Sequence, residues 1–180
     1  MQTINIVWMK KDIRLNDHAA LHAAQQAGIP YLIVYLFEPN LLQRPDVSLR
    51  HSQFIYHSLL DLRHNLGDNS HLLHVLYGDR QEIFQYLFQQ FEVQTVFSYS
   101  ESGTQFSWDL DKSIGLLFEQ SGVKWQELPR DAIKRGIKNR KGWDKHWYTV
   151  MHKDVLLYEE KSERRLVFDH SFLLPEDFVL

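Results

Sequence analysis

The sequence predicts an α/β fold: a doubly wound parallel sheet of about five strands, Rossmann-like in type, followed by an irregular or helical linker arm. Two observations carry this prediction. Along residues 1–129, short and nearly continuous apolar runs alternate with longer amphipathic stretches, as expected of strands that helices cover on both faces. From residue 130 to residue 180 no strand pattern recurs, and we expect a linker or docking arm there instead of a second domain.

Five segments have the length and apolar character of strands. They are residues 4–9, 31–37, 72–77, 95–99 and 123–128, and the last of them has the alternation of an edge strand. In an open sheet of this kind, ligands bind beyond the carboxyl ends of the strands, near the switch in strand order. The loops at those ends are therefore where we look for a binding site.

Amphipathic stretches between the strands predict helices. We expect Asn16 or Asp17 to cap the first one, and Asp79 with Glu82 to begin the third. The third helix is expected to carry an apolar stripe at Ile83, Leu87 and Phe91.

Composition narrows the function classes. The chain has no cysteine, which excludes disulfides and thiolate metal sites and makes the cytoplasm the expected compartment. The net charge of −3 means that any polyanion site must be a local patch. No apolar run approaches the roughly 20 residues of a membrane span. His18 and His22 have the spacing of metal chelation on a helix, but no third ligand accompanies them, so we expect no metal site.

The loop after the first strand concentrates charge at Lys10, Lys11, Asp12, Arg14 and Asp17. At the end of a strand, such a loop can meet an anionic or heteroaromatic ligand with side-chain charge and backbone N–H groups. The same residues also suit a solvated turn in which Asp12 pairs with Arg14.

This loop lies within the segment VWMKKDIRLNDHAAL at residues 7–21, which resembles the opening of the DNA photolyase/cryptochrome family. In that family a strand is followed by Trp-Phe-Arg-Arg-Asp-Leu-Arg-Leu and an alanine-rich helix. Here Met9 replaces the Phe, and Lys10 and Lys11 replace arginines, which keeps the charge but loses the planar guanidinium. Four further stretches are similar to the family in the same order: VYLFEP at 34–39, RHSQF at 50–54, YSESGT at 99–104 and IKNRKGW at 137–143.

The resemblance implies that residues 1–129 are the N-terminal antenna domain and that residues 130–180 are the interdomain linker, with the catalytic FAD domain absent from this chain. In the family, the first half often holds an antenna chromophore, which is FMN, a deazaflavin or methenyltetrahydrofolate, and the second half holds FAD. The implied function is light harvesting within a deoxyribodipyrimidine photolyase or cryptochrome, whose full-length form performs blue-light-dependent DNA repair or photoreception. The chain alone is expected to be inactive, because repair needs FAD beside a flipped-out lesion.

The resemblance also places a chromophore pocket over the carboxyl ends of the first, second and fourth strands. A flat ring system needs apolar contacts on its faces and a few fixed polar partners at its edge. We expect the pocket to be lined by Met9, Lys10, Asp12, Arg14, Phe37, Glu38, Arg50, Phe54, Tyr99 and Glu101.

A basic stretch with two tryptophans follows the predicted sheet. Its candidate contact residues are Arg135, Lys138, Arg140, Lys141, Trp143 and Trp147. This pattern can bind a nucleic-acid backbone and stack bases. We favour instead an arm whose tryptophans pack on the FAD domain as its partner, with DNA contacted only by the full-length protein.

The same interpretation predicts exposed apolar surface in the arm, and hence self-association or loose order. The residues concerned are Trp143, Trp147, Leu156, Leu157 and Phe172. A free-standing nucleotide-binding or interaction module of the same fold is the alternative function, although no G-x-G-x-x-G or Walker A motif supports nucleotide binding.

Overall fold

Five strands form one fully parallel sheet in the computed structural model, which describes residues 1–133 and 138–176. They are β1 (Gln2–Met9), β2 (Tyr31–Phe37), β3 (Leu73–Tyr77), β4 (Phe91–Tyr99) and β5 (Lys124–Leu128). Their order across the sheet is β3-β2-β1-β4-β5, so the strand order switches direction between β1 and β4. The predicted doubly wound parallel sheet is confirmed.

Helices connect the strands: α1 (Ala19–Gln26), α2 (Pro39–Leu42), α3 (Leu49–Asn65), α4 (Arg80–Gln90) and α5 (Gln105–Gln120), with a 3₁₀ helix at Gly67–Leu72. A further helix, α6 (Trp143–Met151), lies in the region predicted to be a linker arm. Because α2 has only four residues, it shows no helical period that the sequence pattern would reveal.

Apolar side chains cover both faces of the sheet, which explains the nearly continuous apolar runs. On β1, Ile6 and Trp8 contribute to one core, together with residues of α4 and α5. Val7 and Met9 point the other way, into a second core shared with α1 and α3.

The cap of the first helix and the position of Phe91 differ from what the sequence predicted. The N-cap of α1 is His18, whose Nδ1 accepts a hydrogen bond from the Leu21 amide at 3.0 Å. Asp17 adopts a left-handed φ of 52°, and the Asn16 side chain accepts a hydrogen bond from the Tyr158 amide instead. Phe91 begins β4 and does not extend the helix, because α4 ends one residue earlier. Phe91 lies four residues after Leu87, as the predicted stripe requires, but it packs into the same core from the strand.

Residues 155–176, which we name the C-terminal segment, run back over the α/β domain. The Leu156 carbonyl accepts from the Asp17 amide at 2.6 Å, and the Phe172 carbonyl accepts from the Tyr77 amide at 3.1 Å. Leu166 is buried within the first core. Of the five residues predicted to leave apolar surface exposed, Trp143 and Leu157 are exposed, whereas Trp147, Leu156 and Phe172 are half-buried. Self-association of the arm stays a prediction.

Replacing Asp79 with Ala should lower the free energy of unfolding by about 1 kcal/mol, the usual value of an N-cap. Its carboxylate accepts hydrogen bonds from the amides of Gln81 and Glu82 at 2.8 and 3.3 Å, as the sequence predicted for the start of α4. Urea denaturation measures the loss. Asp109→Ala, an exposed change within α5, should cost less than about 0.5 kcal/mol, and equal losses in the two variants would contradict the capping role.

Candidate functional site

A cleft of about 600 Å³ opens at the carboxyl end of the sheet. It is bounded by the loop after β1, by the end of β2 with the connection through α2 to α3, and by the segment that leads from β4 into α5. This is the edge at which the strand order switches between β1 and β4. It is therefore the position at which doubly wound sheets bind their ligands.

The walls of the cleft are largely apolar. Phe54 of α3 and Phe106 of α5 both line it, and they are 74% and 38% exposed. The guanidinium of Arg44 lies 4.5 Å from the centre of the Phe106 ring, so the two sides of the cleft meet there. The remaining aliphatic lining comes from Ile13, Leu36, Leu41, Leu42, Val47 and Ile55.

The floor is a buried ion network centred on Arg80, the first residue of α4. Its Nε and Nη2 donate to the two carboxylate oxygens of Glu38 at 2.6 and 2.8 Å. Its Nη1 donates to Asp111 at 3.1 Å, and Asp111 also binds Lys10 Nζ at 2.6 Å. Burial raises the pKa of Glu38 above its ordinary value, although the contact with Arg80 opposes the rise. Lys10 Nζ also lies 4.4 Å from the centre of the Trp8 ring.

A second buried pair fixes the loop after β1. Asp12 Oδ2 lies 2.6 Å from His18 Nε2, and Asp12 Oδ1 accepts from the Lys10 amide at 2.9 Å. Because His18 Nδ1 accepts from Leu21, the ring proton belongs on Nε2, which donates to Asp12. Arg14 pairs with Asp17 and not with Asp12, so the Asp12–Arg14 pair of the solvated-turn alternative is not formed.

The third polar group lies where β4 leads into α5. Lys11 Nζ binds Glu101 Oε1 at 2.9 Å. Burial acts to raise the pKa of Glu101, but the hydrogen bond and charge of Lys11 outweigh it, so the pKa lies below its usual range. Glu101 is therefore a carboxylate at neutral pH.

Tyr35 of β2 lines the cleft and was not among the residues singled out from the sequence. Burial raises the pKa of its hydroxyl, with additional contributions from the charges of Glu38 and Asp12. The hydroxyl therefore stays protonated and can donate a hydrogen bond to a ligand.

Seven of the predicted pocket residues line this cleft: Lys10, Asp12, Arg14, Phe37, Glu38, Phe54 and Glu101. Three others do not. Met9 is fully buried in the second core, because it faces α1 and α3 and not the cleft. The Tyr99 hydroxyl accepts from the Ala19 amide at 2.7 Å, so this residue anchors α1. Arg50 is exposed on α3 outside the cleft.

Sequence reasoning also missed Arg44, Arg80 and Phe106. Each lies in or beside a helix that begins at the carboxyl edge of the sheet. Their position just after a predicted strand is the sequence feature that could have identified them.

The basic stretch is largely at the surface. Lys138, Arg140, Lys141 and Trp143 are exposed, and Trp147 is half-buried on α6. Arg135 lies outside the described residues. Within residues 1–133 and 138–176, no cluster of three or more His, Asp or Glu side chains is arranged to hold a metal ion. Over the same ranges, none of the helices combines the length and apolar character that a bilayer crossing requires.

Comparison with known proteins relates the chain to photolyases and cryptochromes. A family model for DNA photolyase matches residues 5–142. Cryptochrome DASH of Arabidopsis thaliana is 30% identical over 163 residues, which are 87% of this chain and 26% of that protein. The deoxyribodipyrimidine photo-lyase of Synechococcus sp. is 23% identical over 140 residues, which are 74% of this chain and 29% of the relative. The chain thus spans less than a third of the length of these curated relatives.

Solved structures share the fold. The cryptochrome of Synechocystis sp. PCC6803 superposes with a TM-score of 0.81 at 16% identity, covering 98% of this chain and 40% of that one. A class III photolyase from Agrobacterium tumefaciens gives 0.74 at 21% identity, covering 95% of this chain and 37% of the other. The photolyase of Sulfolobus tokodaii, described with two FAD molecules and as implying a novel light-harvesting cofactor, gives 0.71 at 21% identity, with 87% and 37% covered.

The family model covers well over half of the chain, and the structural neighbours share its parallel sheet and flanking helices. A free-standing nucleotide-binding module is not favoured by these relationships. The chain belongs to the DNA photolyase family.

Proposed function

We propose that this chain is a light-harvesting domain and that the cleft at the carboxyl edge of the sheet holds its antenna chromophore. The observation that carries the proposal is the cleft itself, which combines apolar walls with a few fixed polar groups at the switch in strand order. Its volume of about 600 Å³ lies within the range of small-molecule sites.

The lining suits a flat heteroaromatic ring. Phe54 and Phe106 offer apolar contact from opposite walls, and Tyr35 offers a hydroxyl donor from the floor. Arg14 and Glu101 are polar groups at the edge of the same cleft. When bound, the chromophore absorbs blue or near-ultraviolet light and supplies excitation energy to FAD. A flavin, a deazaflavin or a methenyl-folate are the classes to test, and the FAD molecules of the Sulfolobus tokodaii protein support including flavins.

The activity of the full-length protein is part of the proposal. A helical partner domain that holds FAD would dock on the arm, where α6 and the C-terminal segment expose apolar side chains. These are Trp143, Tyr148, Met151, Val155, Leu157, Val167 and Leu173. DNA would be contacted by the complete protein, which would perform photorepair or photoreception.

Replacing Tyr35 with Phe should weaken chromophore binding about fivefold, because one hydrogen bond is worth about 1 kcal/mol and a buried ligand carbonyl would lose its donor. Titration with riboflavin, a deazaflavin and methenyltetrahydrofolate, followed by the shift of the absorption band, measures the affinity.

Tyr56→Phe is the matched control, since Tyr56 lies on α3 but does not line the cleft. Its affinity should equal that of the unaltered chain. The site assignment is wrong if no chromophore binds at micromolar concentration, or if the two variants bind equally well.

A further inference from the structure

Every cationic side chain that lines the cleft, among the described residues, already has a carboxylate partner. On the floor, Arg80 binds Glu38 and Asp111, and Lys10 binds Asp111. The other three pairs are Lys11 with Glu101 at 2.9 Å, Arg14 with Asp17 at 3.3 Å and Arg44 with Asp46 at 2.9 Å. A phosphate entering the cleft would therefore meet cations whose charge a carboxylate already compensates, and it would compete with those carboxylates.

The N-terminus of α5 lines the cleft, and helix N-termini attract phosphates because their free backbone amides point outward. The Glu101 carboxylate lies beside Gly103, two residues before this helix begins. A Cβ atom placed on Gly103, just before the helix, would lie 2.5 Å from Glu101 Oε1, 2.4 Å from Ser107 Oγ and 3.0 Å from Lys11 Nζ. The Gly103 amide also donates a hydrogen bond to Glu101. Glu101 thus places a negative charge, paired with Lys11, beside the start of α5.

We propose that the cleft selects a chromophore without a phosphate group, recognised through its ring and any neutral polyol chain, and that Glu101 is the residue that excludes the phosphorylated form. This inference rests on the proposed function of the same cleft. It separates riboflavin-type and other phosphate-free ligands from FMN and FAD, which carry phosphates.

Riboflavin and FMN provide the test, because they share the ring and the ribityl chain and differ in the terminal phosphate alone. We expect riboflavin to bind the unaltered chain at least as tightly as FMN, as measured by quenching of flavin fluorescence. FMN binding more than about tenfold tighter than riboflavin would overturn the inference and leave the proposed function intact. If neither flavin nor any deazaflavin or folate binds, the proposed function fails and the inference fails with it.

Glu101→Gln tests the residue. The change removes one negative charge and releases Lys11 beside the amides of α5, so the ratio of the riboflavin Kd to the FMN Kd should rise about tenfold. Because both Kd values are measured on the same variant, a general loss of flavin affinity leaves their ratio unchanged. Asp109→Asn, which releases the exposed Lys112 on α5 outside the cleft, should change the ratio by less than about threefold. An unchanged ratio in Glu101→Gln would show that Glu101 does not exclude phosphate.

Discussion

Replacing Arg80 with Met should lower the free energy of unfolding by about 3–5 kcal/mol, the usual cost of leaving a buried charge without its partner. The Arg80 side chain is 6% exposed, and it binds both oxygens of Glu38 and one oxygen of Asp111. Methionine fills much of the same volume but satisfies neither carboxylate. Equilibrium denaturation in urea at neutral pH measures the loss.

Two comparison variants separate the charge effect from packing. Arg44→Met breaks the partly exposed pair with Asp46 and should cost no more than about 1 kcal/mol. The double change Arg80→Met with Glu38→Gln should recover part of the loss, because the amide carries no charge that needs a partner. If Arg80→Met costs as little as Arg44→Met, the network does not stabilise the cleft floor.

The sheet was predictable from the sequence because its signal is local. The predicted bounds of β2 match the structure, and four other apolar runs mark the remaining strands. The start of β4 was missed because residues 91–94 alternate between buried and exposed positions and Phe91 continues the spacing of the preceding helix. Charge patterns also located the carboxyl edge, since the loops there carry most of the cleft's polar side chains.

The internal arrangement of the cleft was not predictable, because it depends on pairs that are distant in sequence. Glu38 was expected to face a ligand, yet both of its oxygens bind Arg80, a residue 42 positions later. Met9 was expected at the cleft, but the alternation of side chains along a strand places it on the opposite face from Trp8. Sequence spacing predicts which residues lie at the same end of the sheet, but it does not predict which of them form ion pairs.

Lowering the pH from about 7 to 4.5 should remove roughly 2–3 kcal/mol of stability through His74. This histidine lies on the edge strand β3, with its ring 4.8 Å from that of Phe168 in the C-terminal segment. Burial, with smaller contributions from the nearby charges of His170, Arg63 and His71, lowers its pKa from 6.5 to about 4. His74 Nε2 and His170 Nδ1 are both buried without hydrogen-bond partners. A proton added to either nitrogen would therefore find no acceptor for a hydrogen bond.

The direction of the effect follows from which state binds the proton. Between pH 6.5 and about 4 the unfolded chain holds a proton on His74 and the folded chain does not, so acid favours unfolding in that window. Denaturation curves at pH 7.5 and 4.5 should therefore differ less for His74→Leu than for the unaltered chain, whereas exposed His64→Leu should leave the difference unchanged. Carboxylates that titrate near pH 4 affect all three proteins alike and cancel in the comparison. An equal acid loss in the His74→Leu variant would show that the contact between β3 and the C-terminal segment does not depend on a neutral His74.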